Sequence, residues 1–175
     1  KDFQSVFSVI DSEAVGGVDF LTGGFPAEYG DRMSGVMDIS IATPSGPTTT
    51  SIDLSTINGR FLSHGSFNRE RGQWFVSARV WYPDAIAGDI KDSPNELLTD
   101  YYDVLAKIQH QLGRHSILSA NLLAAYDDLG YQEFDEEEVQ EVRAEYGSYS
   151  AWLNLHSDWS EALFSQTVLS TGRLN

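Results

Sequence analysis

From Trp74 to Tyr126 the chain keeps returning to one pattern, apolar and polar side chains alternating with a period of two. In 74–82, Trp74, Val76, Ala78, Val80 and Tyr82 share one face while Phe75, Ser77, Arg79 and Trp81 share the other. In 101–112, Tyr102, Val104, Ala106, Ile108, His110 and Leu112 oppose Tyr101, Asp103, Leu105, Lys107, Gln109 and Gln111. Next, Leu118, Ala120, Leu122, Ala124 and Tyr126 oppose Ser119, Asn121, Leu123 and Ala125. Two is the period of a strand, and a helix would scatter these residues around its axis. Ordinary strands run about 5–6 residues, whereas each run here approaches the ~9–11 that a tilted strand needs to cross a bilayer.

The connections alternate in length. Only "GRHS" lies between 112 and 117, and only "SEA" between 159 and 163, whereas a polar stretch fills 83–100 and a long acidic one 127–147. Short turns on one rim and long loops on the other is how outer-membrane barrels are built. In 48–68 the alternation set by Ile52 and Leu54 slips at Ile57. Reading Asn58–Gly59 as a tight hairpin turn divides the stretch into strands 48–57 and 60–67. "NRERGQ" then joins the second and third strands on the rim of the other short turns, and the count reaches about seven strands, the last over 163–174. An open sheet of that size leaves edges and an apolar face unsatisfied in lipid, so a piece of a larger protein is expected.

Composition narrows the partners. Eleven basic against 26 acidic residues leave a net charge of -15, which repels phosphate backbones and anionic surfaces and argues against nucleic acid. There is no cysteine, so disulfides, thiolate metal sites and thiol nucleophiles are excluded. No apolar run reaches the roughly 18 residues of a membrane-spanning helix; the longest candidate, 117–126, is interrupted by Ser119 and Asn121.

Ahead of the strands stands "FLTGGFPAEYGDRMSGVMDISIATPSG", two strand-like runs, 18–22 and 35–41, around a glycine-rich segment. Gly23 and Gly24 suit a tight turn with positive φ, Pro26 the first position of a helical turn, and Gly30 its end. Through Gly23, Gly24, Phe25, Pro26, Ala27, Glu28, Tyr29, Gly30, Ser34, Gly35, Val36 and Ile39, the stretch resembles the end of the plug domain of TonB-dependent outer-membrane receptors. It is most similar to the branch whose members often carry a carboxypeptidase-regulatory-like domain before the plug. Downstream, "GQWFVSARVWYPD" and "YYDVLAKIQHQLGRHSILSANLLAAYDD" resemble the early barrel of that branch.

The resemblance implies a mainly β fold, with the C-terminal part of a plug over 1–44 and the first antiparallel strands of a transmembrane β-barrel over 45–175. It implies a bacterial outer-membrane receptor for energy-coupled uptake of a scarce nutrient, whether siderophore, cobalamin, glycan or peptide. Its partners would be outer-membrane lipid, a small ligand, and a TonB-type energy-coupling protein reached through an N-terminal box that this sequence lacks. Arg32 is expected to pair with acidic groups of the plug or inner wall, and Ser77, Arg79 and Trp81 to face the lumen, where Arg79 and Trp81 are the ligand-side candidates. Arg79 is expected foremost to salt-bridge the plug. The short turns are expected to be periplasmic, with Asn58–Gly59, 84–100 and 127–147 outside the cell.

Chemistry of other kinds finds no anchor. Asp135, Glu136, Glu137, Glu138, Glu141 and Glu145 could offer oxygen ligands, yet they lack the spacing of a calcium loop and read as a solvated loop. "EEEVQEVRAEY" could form a short helix. His64, His110, His115 and His156 share no metal-ligand spacing, and no serine sits in a G-x-S-x-G elbow. Neither catalysis nor a cofactor is expected. The competing readings are a soluble all-β binding module of lectin type and an acid-dependent hydrolase on a β scaffold. One-sided loop asymmetry argues against the first, and the lack of a nucleophile or marked carboxylate pair against the second.

Overall fold

The computed structural model describes residues 11–26, 29–30, 35–82, 95–134 and 139–174, with the side chains of 95–99, 129–134 and 139–142 excepted. Glu28, Arg32 and Ser34 of the glycine-rich segment lie outside the described residues, as do Asp135, Glu136, Glu137 and Glu138. The chain is mainly β and divides into two compact units, 1–43 and 44–175.

The described part of the first unit opens on a 3-10 turn, Ser12–Ala14, capped by Asp11, whose Oδ1 accepts from Glu13 N at 3.1 Å. Strands β1 (Val15–Leu21) and β2 (Val36–Ile41) follow as an antiparallel pair. The register shifts at Gly16, where an added Cβ would stand 3.0 Å from the Ala42 backbone, so the close approach of the two chains requires glycine. Between the strands, Gly24 takes the positive φ that the sequence called for (65°), and Tyr29 N donates to the Pro26 carbonyl at 3.0 Å.

The second unit holds one seven-stranded antiparallel sheet in simple chain order. Its strands are β3 (Thr49–Leu54), β4 (Asn58–Phe67), β5 (Gly72–Trp81), β6 (Asn95–Gln111), β7 (Ser116–Phe134), β8 (Val139–Ser160) and β9 (Leu163–Leu174). The turns 68–71, 112–115 and 161–162 share one rim and are short.

Two sequence expectations are corrected here. Asn58–Gly59 is not the hairpin turn: both residues belong to β4, and Leu54 pairs with Gly59. A two-residue I′ turn needs positive φ at both central residues, and among described residues only Asn68, Arg69, Glu70, Gly24 and Gly46 have it. The chain reverses instead through 55–57. There Ser55 N donates to the Asn58 carbonyl at 2.8 Å, and Ser55 Oγ accepts from Asn58 N at 3.0 Å.

The second correction concerns the upper connections. Residues 127–134 and 139–147 are strand rather than loop, and the described part of "EEEVQEVRAEY", from Val139 on, is not helical: β7 runs on to Phe134, β8 starts at Val139, and the two remain in register to Phe134↔Val139. Likewise β6 already begins at Asn95. These strands of 17, 19 and 22 residues far exceed the ~9–11 that span a bilayer. Their outer ends form a three-stranded extension beyond the alternating segments, joined by ladder pairing.

Register sorts the side chains onto two faces, because directly paired residues point to the same side. One face carries Ile52, Phe61, Trp74, Val76, Ala78, Val80, Val104, Ala106, Ile108, Leu118, Leu122, Leu153 and Leu169. The other carries Asp53, Arg60, Ser77, Arg79, Asp103, Lys107, Asn121 and Ser150, with Phe75 and Leu105 packed among them. Most of the sheet's buried side chains lie on this second, polar face: Ser77 is 0% exposed, Asp103 1% and Phe75 1%, whereas the buried Ser63 and Ser157 lie on the apolar one. The apolar face is the open one, with Ile52 68% exposed, Leu122 41% and Leu169 66%.

Candidate functional site

The polar face gathers its charges into one row. Asp53 pairs with Arg60, Arg60 with Arg79 and Arg79 with Asp103, so four charged residues cross β3 to β6 at one level. Two arginines side by side would repel, but each turns to the carboxylate on its outer flank. Arg79 Nε donates to Asp103 Oδ2 at 2.8 Å, and Arg60 Nε lies 3.5 Å from Asp53 Oδ2. Asp103 is fully buried, so its charge depends on that guanidinium. Arg79 also reaches the Tyr101 hydroxyl (Nη2 to OH 3.4 Å) and lies 5.8 Å from the Tyr101 ring centre.

One step outward along the strands comes a second row on the same face: Trp81 pairs with Tyr101, Tyr101 with Asp127, and Asp127 with Tyr146. Tyr101 is buried and Tyr146 exposed. Burial pushes the Asp127 carboxyl above the usual carboxylate range, with the charge of Asp128 adding to the effect. On the opposite face Asp128 accepts from Arg143 Nε at 3.0 Å and from Arg143 Nη2, and Glu145 lies 3.3 Å from the same guanidinium. The Arg143 hydrogen bonds hold the Asp128 carboxyl below its usual range.

Arg79 and Trp81, singled out from the sequence, therefore stand in adjacent rows of one face. The glycine-rich residues Gly23, Gly24, Pro26, Tyr29, Gly30 and Gly35 belong to the first unit, where the Tyr29 hydroxyl donates to Asp38 Oδ2 at 2.8 Å. Asp103, Asp127 and Tyr146 were not singled out. Parity in the sequence gave Asp103 a face, whereas Asp127 and Tyr146 fell in the stretch read as a loop, and the cross-strand register that brings all three beside Arg79 and Trp81 is a tertiary fact. Among the described residues no three His, Cys, Asp or Glu side chains converge as a metal-ligand set. Ile52, Leu54, Phe61, Val80 and Tyr102 frame a shallow depression of about 310 Å³ on the apolar face. The polar face offers hydrogen bonds, paired charges and aromatic surface, which are the means of binding.

Comparison with protein-family models, with curated proteins and with solved structures gave no match.

Proposed function

We propose that this chain forms the end of the plug and the first strands of the barrel of a TonB-dependent outer-membrane receptor, a transporter that takes up a scarce nutrient using energy relayed from the inner membrane. The observation that carries the reading is the inversion of the sheet: its apolar face exposes large hydrophobic side chains, and among the described residues its most deeply buried side chains, Phe75, Ser77 and Asp103, lie on the polar face. In water an apolar face of this extent is a liability, and a soluble sandwich would cover it with a second sheet. In a bilayer it is the required outer surface.

The limits of the apolar face agree from strand to strand. On β7 it runs Leu118, Ala120, Leu122, Ala124, then Tyr126, then Asp128; on β6 it runs Ile108, Ala106, Val104, then Tyr102, then Asp100. The Tyr102 and Tyr126 rings stack with centres 5.0 Å apart, and Tyr149 stands on the same face of β8. Apolar, then aromatic, then charged is the order of hydrocarbon, interface and water. Eight residue steps from Leu118 to Tyr126 cover about 27 Å of strand at 3.3–3.4 Å each. At a tilt of ~40° that gives roughly 20 Å of height, close to the ~25 Å apolar band of such barrels. The extension above the tyrosines then projects into water. The open edges β3 and β9 call for neighbouring strands.

Single cysteines at Ala144 and Arg114 test the orientation, since the chain has no cysteine of its own. A membrane-impermeant thiol reagent on intact cells should label position 144 and leave 114 unlabelled until the outer membrane is permeabilised. Labelling of 114 on intact cells would contradict the orientation, and recovery of the protein in the soluble fraction would contradict the receptor itself.

A further inference from the structure

We infer that the outer row of the polar face, Trp81, Tyr101, Asp127 and Tyr146, is a subsite for an organic cation, an ammonium or guanidinium group carried by the ligand. The inference rests on the receptor reading only for the side from which the ligand arrives. It begins with Asp127. Two neighbouring carboxylates each hold an arginine, Asp103 through Arg79 and Asp128 through Arg143. Among the described residues no hydrogen bond or ion pair reaches Asp127, and its Oδ1 is shut away from solvent. A half-buried carboxylate with one oxygen kept from water and no donor pays for its charge, and a bound cation would offset that cost.

Its flanks say what that is. Asp127 pairs with Tyr101 on one side and Tyr146 on the other, with Trp81 one strand further on. Strands lie ~4.8 Å apart, so the two tyrosines stand about 10 Å from each other with the carboxylate between them. Tyr101 is buried and its ring already faces Arg79, so the exposed Tyr146 ring is the aromatic surface open to a ligand; an aromatic face beside a carboxylate suits a soft organic cation, drawn by the ring quadrupole and neutralised by the acid. It does not suit calcium or magnesium, which need several oxygen ligands in one place. An anion would meet Asp127 directly. Tyr146 is exposed, which leaves the row accessible, and the net charge of -15 favours the approach of cations.

The test uses the intact receptor in detergent micelles, with Nα-acetyl-lysine amide as the probe and Nα-acetyl-norleucine amide as its neutral counterpart, read by tryptophan fluorescence. The lysine derivative should bind saturably and the norleucine derivative at least 10-fold more weakly. Asp127→Asn should weaken the lysine derivative at least 10-fold, while Glu145→Gln, which removes the same charge from the other face, should change it less than 2-fold. Tyr146→Phe should retain binding and Tyr146→Ala should lose it, which separates the role of the ring from any folding defect at Asp127. Equal losses in Asp127→Asn and Glu145→Gln, or no saturable difference between the two probes, would overturn the subsite. Because detergent binding does not depend on bilayer orientation, either failure leaves the barrel reading standing.

Discussion

Placing an arginine at Leu122 separates a lipid-facing sheet from a water-facing one. Leu122 pairs with Ala106 on one side and Ala151 on the other, midway along the apolar part of β7 between Leu118 and Tyr126. In a bilayer that position is close to the midplane, where an arginine on the lipid face costs about 2–4 kcal/mol. At 1.4 kcal/mol per decade the folded, inserted population falls roughly 30- to 700-fold relative to the unfolded one. Ser150→Arg provides the control: Ser150 pairs with Leu123, so it stands at nearly the same depth on the polar face, and it is exposed. There the guanidinium stays hydrated and the change should stay within about 0.5 kcal/mol. Urea unfolding of the intact receptor in lipid vesicles, followed by tryptophan fluorescence, reads both. If the sheet faced water on both sides, Leu122→Arg would be an exchange at a 41% exposed position and would also stay within about 0.5 kcal/mol. Equal stability of the two variants in vesicles would refute the assignment of faces.

Three further outcomes follow from the geometry. Arg79→Met should cost about 3 kcal/mol in the same unfolding assay, because it leaves the buried Asp103 carboxylate without its guanidinium, and Arg79→Met combined with Asp103→Leu should recover most of that loss. Glu70→Gly should stabilise by about 1 kcal/mol, since Glu70 sits in the short turn at φ 65°, a conformation that glycine adopts without penalty. The pH dependence has two opposite parts. Asp128 is depressed by Arg143, so its stabilisation is complete above the ordinary carboxylate range and is lost only as pH falls through its lowered value; Asp127 is raised by burial, so it destabilises at neutral pH and that penalty is relieved as pH falls through its raised value. Asp127→Asn should therefore be more stable than the parent at pH 7 and lose the advantage in acid, whereas Asp128→Asn should be less stable at pH 7 and converge with the parent in acid.

What the sequence made legible is what two unlike faces enforce. The alternation in 74–82, 101–112 and 118–126 shows which residues share a face, because a sheet with one apolar and one polar side leaves no other arrangement. Beyond Tyr126 that constraint ends. A sheet with water on both sides needs no period of two, and "DDLGYQEF" and "VQEVRAEYG" show none, so their strands looked like a loop and a helix. The Asn-Gly pair misled for a different reason. It is a strong signal for a two-residue turn, but the pairing Ile52↔Phe61 and Leu54↔Gly59 places the reversal ahead of it, where the Ser55 hydroxyl accepts the backbone amides. In the candidate site, Arg79 and Trp81 were legible from their parity. Their neighbours Asp103, Asp127 and Tyr146 depend on how four strands are staggered, which no local pattern encodes.

The inversion of the sheet is tested most directly by single-cysteine substitutions from 117 to 126 in the intact receptor in lipid vesicles, a scan to which these 175 residues contribute no native cysteine. Each thiol carries a small fluorophore, and quenching is compared between bromine-labelled acyl chains and a water-soluble quencher. Positions 118, 120, 122 and 124 should be quenched from the lipid and protected from water, positions 119, 121, 123 and 125 the reverse, with the lipid signal strongest near 122. Water quenching at the even positions equal to that at the odd ones, with no response to brominated lipid, would contradict a lipid-facing sheet.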